Sequence, residues 1–126
     1  MTTDLIGLYG IVVDPNEGVS IKHFPNGRAS LNELYATIDC DLVELSVLTD
    51  ELDLFVDEEG LVNGSAERVG CFQVLDADGE RLGQLMYAGR GVILQHDAET
   101  NDSIGFTRER ATAIVESLMF QSMAIL

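Results

Sequence analysis

The chain predicts an α+β fold with a mostly antiparallel sheet, and three observations carry that reading. Short runs rich in β-branched residues, many alternating apolar with polar, recur along the sequence. Clusters of Gly, Pro, Asn and Asp separate them at short intervals. Only two segments show helical spacing, one short and one near the carboxyl end, so strands dominate the order. The expectation is a single domain over residues 1–126. It holds about five to seven strands, a short helix at about 31–38 and a C-terminal helix at about 108–121.

Leu5 to Val13 (LIGLYGIVV) reads as a first strand, ended by the turn Asp14-Pro15-Asn16-Glu17-Gly18. Val19 to Phe24 alternates and pairs back as a hairpin before Pro25-Asn26-Gly27 breaks the run. Ser30-Leu31-Asn32-Glu33 matches a capping box, and Leu31, Leu34, Tyr35 and Ile38 follow on one helical face. Two strands come next. In Leu42–Leu48 the residues Val43, Leu45 and Val47 are expected on the apolar face, with Glu44 and Ser46 opposite. In Leu52–Asp57 the expected apolar face is Leu52, Leu54 and Val56, with Asp53, Phe55 and Asp57 pointing away.

After an irregular stretch at Asn63-Gly64-Ser65, with a turn of helix through Ala66–Val69, Cys71–Leu75 reads as a strand and Asp76-Ala77-Asp78-Gly79 as a tight connection. Leu82–Tyr87 and Gly91–His96 are further extended runs, and Asp97 to Ser103 reads as polar loop. Thr107 caps the last helix, in which Ala111, Ile114, Val115, Leu118 and Met119 recur at helical spacing, with Phe106 placed for a hydrophobic staple. The tail Phe120 to Leu126 is apolar, which suits either docking on the sheet or a homodimer contact.

Charge is the most uneven property of this chain. Its formal net charge is -15, and between Arg28 and Arg68 it carries eleven carboxylates with no Lys, Arg or His. Such a field repels nucleic acid and anionic membranes and attracts basic proteins. The 46% hydrophobic fraction separates the chain from a disordered acidic tail. Asp4 stands where a signal peptide would carry basic residues, and no run approaches the ~20 apolar residues of a spanning helix, so a cytoplasmic protein without membrane contact is expected. Cys40 and Cys71, the only cysteines, have no metal-ligand spacing and read as small, partly buried residues.

Catalytic signatures are scarce. His23 and His96 each stand alone in a strand-like run and read as surface or satisfied-core residues. No G-x-S-x-G, H-E-x-x-H, P-loop or G-x-G-x-x-G motif occurs, and Gly89-Arg90-Gly91 is too short to cradle a phosphate. Asp76-x-Asp78-Gly79-Glu80 departs from the calcium-loop pattern, since its glycine comes at the fourth position and Tyr87 stands at the twelfth. No cofactor and no catalytic residue is predicted.

Three runs together resemble the DUF3846 domain: Leu31-Asn32-Glu33-Leu34-Tyr35, then Asp41-Leu42-Val43-Glu44-Leu45, then Leu52 through Leu61 (LDLFVDEEGL). Gly89-Arg90-Gly91-Val92-Ile93-Leu94 and Gly105-Phe106-Thr107-Arg108-Glu109 are similar to that family's later strand and final helix start, so the likeness spans residues 8 to 118. Asn63-Gly64-Ser65-Ala66-Glu67 departs from the family's Asn followed by Ala-Thr. The resemblance implies a phage, plasmid or bacterial context and an unestablished activity, and it supplies no catalytic residue.

The function expected from these features is a small non-enzymatic interaction protein that binds a basic or nucleic-acid-binding host protein, as a DNA mimic or counter-defence factor would. Glu44, Asp50, Glu51, Asp53, Asp57, Glu58 and Glu59 are the expected partner-binding residues. On a sheet, such carboxylates approach the spacing of duplex phosphates, about 3.4 Å per strand. A housekeeping domain whose acid serves solubility or salt tolerance is the alternative. An enzyme or ligand binder would instead need acids converging in a pocket.

Overall fold

The β-branched runs pair with one another, as their composition requires. A computed structural model describes residues 9–24, 31–60 and 69–123 and resolves them into nine strands and two helices. A first hairpin joins β1 (Tyr9–Asp14) to β2 (Gly18–His23). Its turn is held by the Asp14 carboxylate, which accepts the backbone N–H groups of Asn16 at 2.8 Å and Glu17 at 3.0 Å. A second hairpin joins β3 (Val43–Thr49) to β4 (Leu52–Asp57). Between the hairpins lies β7 (Gly91–Asp97), giving the order β2-β1-β7-β4-β3, and β8 (Asp102–Ile104) pairs with the far end of β7. A smaller sheet is built as β6-β5-β9 from β5 (Cys71–Leu75), β6 (Arg81–Ala88) and β9 (Met119–Met123). Every pairing is antiparallel.

The two sheets face each other across the main core. Ile11, Val13, Leu54, Val56 and Ile93 from the larger sheet cluster with Phe72, Val74 and Tyr87 from the smaller one. Helix α2 (Arg108–Ser117) adds Ala111 and Ile114 to that cluster. At roughly 1.5–3 kcal/mol for each fully buried large apolar side chain, this layer is the main source of stability. On the outer face of the larger sheet, helix α1 (Leu31–Ile38) lays Leu34 and Ile38 against Phe24, Val92 and Leu94. Eight residues make a short cover, so the outer face beyond Val43 and Phe55 is left open.

Local signals work where the sequence places them. Asp76 Oδ1 accepts the backbone N–H groups of Asp78 and Glu80, both at 2.9 Å, and Gly79 takes the positive φ of 82° that the tight connection needs. Thr107 Oγ1 accepts the Arg110 N–H at 3.0 Å as the cap of α2, and Phe106 and Ala111 are buried in one cluster, as a staple requires. The expected strand residues 5–8, the breaker at 25–27, the Ser30 cap, the irregular stretch at 63–65, the helical turn over 66–68 and the tail residues 124–126 lie outside the described residues.

Three departures from the sequence reading concern the helix end, the loop after β7 and the face of β3. Helix α2 stops at Ser117 instead of running to about 121, because Leu118 turns extended (φ -113°, ψ 157°) and Met119–Met123 pair with β5. That strand covers an edge of β5 that would otherwise expose a row of unpaired backbone groups. The tail therefore docks on the sheet as far as Met123, and this part of it is the edge strand beside β5. Part of the expected 97–103 loop is strand β8, which extends the hydrogen bonding of β7.

The third departure is in β3. Leu45 and Val47, expected inward, are 47% and 59% exposed, while Ser46 and Leu48 are buried against the second sheet. The inner face of β3 is set by what lies opposite it. The Ser46 hydroxyl reaches Tyr87, and Leu48, two positions on, shares that inner face, with a register shift between Val47 and Thr49 at the end of the pairing.

Candidate functional site

The seven carboxylates expected to bind a partner are separated by the β3–β4 hairpin into three settings. Glu44 on β3, Asp57 at the end of β4, and Glu58 and Glu59 in the following turn line one pocket of about 270 Å³. Asp50 and Asp53 line a cleft of about 420 Å³ near the other end of β4. Glu51, beside Asp50 in the hairpin turn, meets Arg110 of α2 at 3.4 Å. The two ends of β4 lie roughly 17 Å apart at about 3.4 Å per residue.

Consider the first pocket. Its floor is apolar (Val56, Met86, Tyr87, Ala88), and Gln84 and Gly60 complete the lining. Glu58 and Glu59 are exposed and Glu44 is half-buried, so three charged groups stand at the rim. Asp57 is withdrawn at 6% exposure, where its Oδ1 accepts the Glu59 N–H at 2.9 Å and shapes the turn. Asp57 faces away from Leu54 and Val56, as expected, but it is buried, so it positions Glu59 instead of standing as an exposed contact. Its charge is also felt by Cys40, whose thiol is pushed up to about 11 by burial first and by Asp57 second. Among the described residues that line this pocket, none is Lys or Arg.

The second setting overturns the reading of Asp53 as an exposed contact. It lies on the face away from Leu54 and Val56, as expected, yet it is 1% exposed because His96 and Ser103 close over it. His96 Nδ1 lies 2.9 Å from Asp53 Oδ2, and the Ser103 hydroxyl donates to the same oxygen at 2.6 Å. Asp53 Oδ1 is buried with no hydrogen-bond partner. His96 is therefore no lone histidine: it is tied to a carboxylate, with its side chain 25% exposed. The two residues are 43 positions apart, and only the β4–β7 pairing, which sets Asp53 opposite Leu94, brings them together. Because the Ser103 hydroxyl bonds the carboxylate and not the imidazole, these three residues lack the order of a nucleophilic triad.

Elsewhere, a wider depression of about 560 Å³ runs over β1–β2, with Lys22 and Arg90 beside Asp14 and Glu17. Arg90 Nε donates to Asp14 Oδ2 at 2.8 Å, so signs are mixed there. Among the described residues no three His, Cys, Asp or Glu side chains group closely enough to hold a metal ion. Among the same residues no helix is long and apolar enough to cross a membrane.

Comparison with known proteins adds one positive finding. No curated protein and no solved structure matches the chain. The model of a domain of unknown function, DUF3846, matches residues 8–119. That match covers most of the sequence and takes in all three carboxylate settings, and the chain belongs to the DUF3846 family.

Proposed function

We propose that the protein is a non-enzymatic interaction module that captures a basic protein partner, with the pocket bounded by Glu44, Asp57, Glu58 and Glu59 as its anchor. The observation that carries this reading is the grouping of Glu44, Glu58 and Glu59 around one apolar-floored pocket, with Asp57 buried beside them and no Lys or Arg among the described residues that line it. A Lys or Arg from a partner would lay its methylene stem on Val56 and Met86 and leave its charge among Glu44, Glu58 and Glu59. The net charge of -15 adds long-range attraction that speeds encounter with a basic surface. A local anchor fits the geometry better than a phosphate-like ribbon does, since Asp53 is buried and Asp50 and Glu51 lie at the far end of the hairpin.

The test pairs wild type with a variant carrying Glu44→Gln, Glu58→Gln and Glu59→Gln. Binding to a panel of Lys- and Arg-rich peptides, and to basic nucleic-acid-binding proteins, is measured from low to high salt. Wild type should bind a subset at low salt, and the triple variant should lose at least about tenfold, with its melting curve kept. Competition by duplex DNA for the same protein partner tests the counter-defence form of the proposal. Equal binding by both proteins, or none by wild type, rejects the anchor.

A second reading is favoured by the distribution of the remaining acids. Glu17, Asp78, Glu80, Glu99, Glu109 and Glu116 are exposed on elements far apart in the fold. A carboxylate surface spread in this way serves solubility or salt tolerance. This reading expects steep thermal stabilisation by molar salt in wild type and a smaller gain in the neutralised variant.

A further inference from the structure

The cleft beside Val47 has a feature that the basic-partner reading does not use: a histidine whose protonation pattern is set from behind by a buried carboxylate. Asp53 Oδ2 lies 2.9 Å from His96 Nδ1. An ionised aspartate only accepts, so opposite it Nδ1 carries the hydrogen, and in the neutral form of that ring Nε2 is the acceptor. His96 lines the cleft together with Val47, Thr49, Asp50 and Ala98. The polar groups around that space are acceptors: the imidazole nitrogen, the exposed carboxylate of Asp50 and the Thr49 hydroxyl oxygen. Thr49 Oγ1 already accepts the Glu51 N–H at 3.1 Å and keeps a second lone pair. The apolar part is Val47, which is 59% exposed, and Ala98, and exposed Leu45 continues the same face along β3. The buried, unpartnered Asp53 Oδ1 adds negative potential behind the ring.

We propose that this cleft binds a primary alkylammonium group, either of a free amine or of a lysine side chain. Its three N–H donors match His96 Nε2, the Asp50 carboxylate and Thr49 Oγ1, and its alkyl stem lies along Val47. Recognition rests on donors as well as charge, which separates it from general attraction of cations to an acidic protein. It does not depend on the anchor at Glu44, Glu58 and Glu59, which lies at the other end of the hairpin.

The probes are n-butylammonium and the peptide acetyl-Gly-Lys-Gly-amide, with tetramethylammonium as an equally charged cation that has no N–H donor. Each is titrated into isotope-labelled protein at about pH 8, where the ring-nitrogen signals report which nitrogen carries hydrogen. The Val47 and Ala98 methyl signals and the His96 ring nitrogens are followed. Saturable shifts with n-butylammonium and none with tetramethylammonium support the site, and a matching response to the peptide extends it to lysine side chains. His96→Phe keeps a ring in the cleft and removes the Nε2 acceptor, and amine affinity should fall at least tenfold. Equal shifts with tetramethylammonium, or no saturable response in wild type, overturn the proposal whether or not the His96→Phe protein folds.

Discussion

The Tyr87 hydroxyl lies 2.6 Å from Ser46 Oγ, so a phenol from the smaller sheet is bonded to the edge strand of the larger one. The same oxygen accepts the Gln84 N–H at 2.8 Å and closes an irregular stretch of β6. There, between the pairs Phe72–Tyr87 and Val74–Leu82, β5 has one residue (Gln73) and β6 has four (Gly83 to Met86). The pocket residues Gln84 and Met86 belong to that stretch, so the phenol holds both the sheet packing and one wall of the proposed anchor.

Tyr87→Phe should therefore cost about 1–3 kcal/mol, since it leaves the buried Ser46 hydroxyl and the Gln84 N–H short of a partner. Ser46→Ala should cost less, and the double variant should show coupling of at least about 0.5 kcal/mol. Urea unfolding of the four proteins measures the cycle. Additive losses would show that the two hydroxyls do not act together. Gly83→Ala should also destabilise, because Gly83 sits at φ 72° and an added Cβ would collide with the Tyr87 hydroxyl.

This bond also explains why part of the fold was not legible in the sequence. Strand positions, the Asp76–Gly79 turn and the Thr107 cap follow from local patterns, because their partners lie within a few residues. The face of β3 does not. Its alternation favours burying Leu45 and Val47, and what reverses it is Tyr87, 41 positions on from Ser46. Leu118 and Met119 fit a helical spacing as well as a strand, and the open edge of β5 decides between them. Acid content announced Glu44, Glu58 and Glu59 as surface groups, but nothing local shows that Asp53 is buried beneath His96. A signal was present in Asp53 itself, a charged residue in the otherwise apolar run Leu52 to Val56.

Acid sensitivity should have an identifiable contribution at Asp14. Burial acts to raise its pKa, but the N–H groups of Glu17 and Asn16 and the Arg90 guanidinium outweigh it, and the net position is below the ordinary 3.8. A carboxyl lowered on folding adds stability that is fully present above about pH 3.8 and is lost as pH falls through the folded-state value. Asp14→Asn should lower the melting temperature at neutral pH and flatten the decline below about pH 4. Melting curves from pH 2 to 7 check this. An unchanged slope in the variant would assign the acid limb to other carboxylates.

Cys40 should be a slow thiol. Burial, reinforced by the Asp57 charge, moves it from 9.0 to about 11, which lowers its thiolate fraction at pH 8 about a hundredfold. Cys71 is fully buried, so neither cysteine should react quickly with iodoacetamide in the native protein, and both should react on denaturation. Asp57→Asn should speed Cys40 modification while leaving Cys71 unchanged. Fast native labelling of Cys40 at pH 8 would contradict the environment described.

Adjacent residues of β3 provide the sharpest check on its orientation, because a slip of one position exchanges every side chain between faces. Val47 is exposed and Leu48 is packed with Leu52, Leu54 and Tyr87. Val47→Ser should change stability by no more than about 0.5 kcal/mol. Leu48→Ala should cost about 2–4 kcal/mol, as removing buried methyl groups leaves a cavity between the sheets. Paired urea titrations decide the matter. A large loss at Val47 with little at Leu48 would return β3 to the face its alternation suggests, and would remove both the Ser46–Tyr87 bond and the apolar lip of the amine cleft.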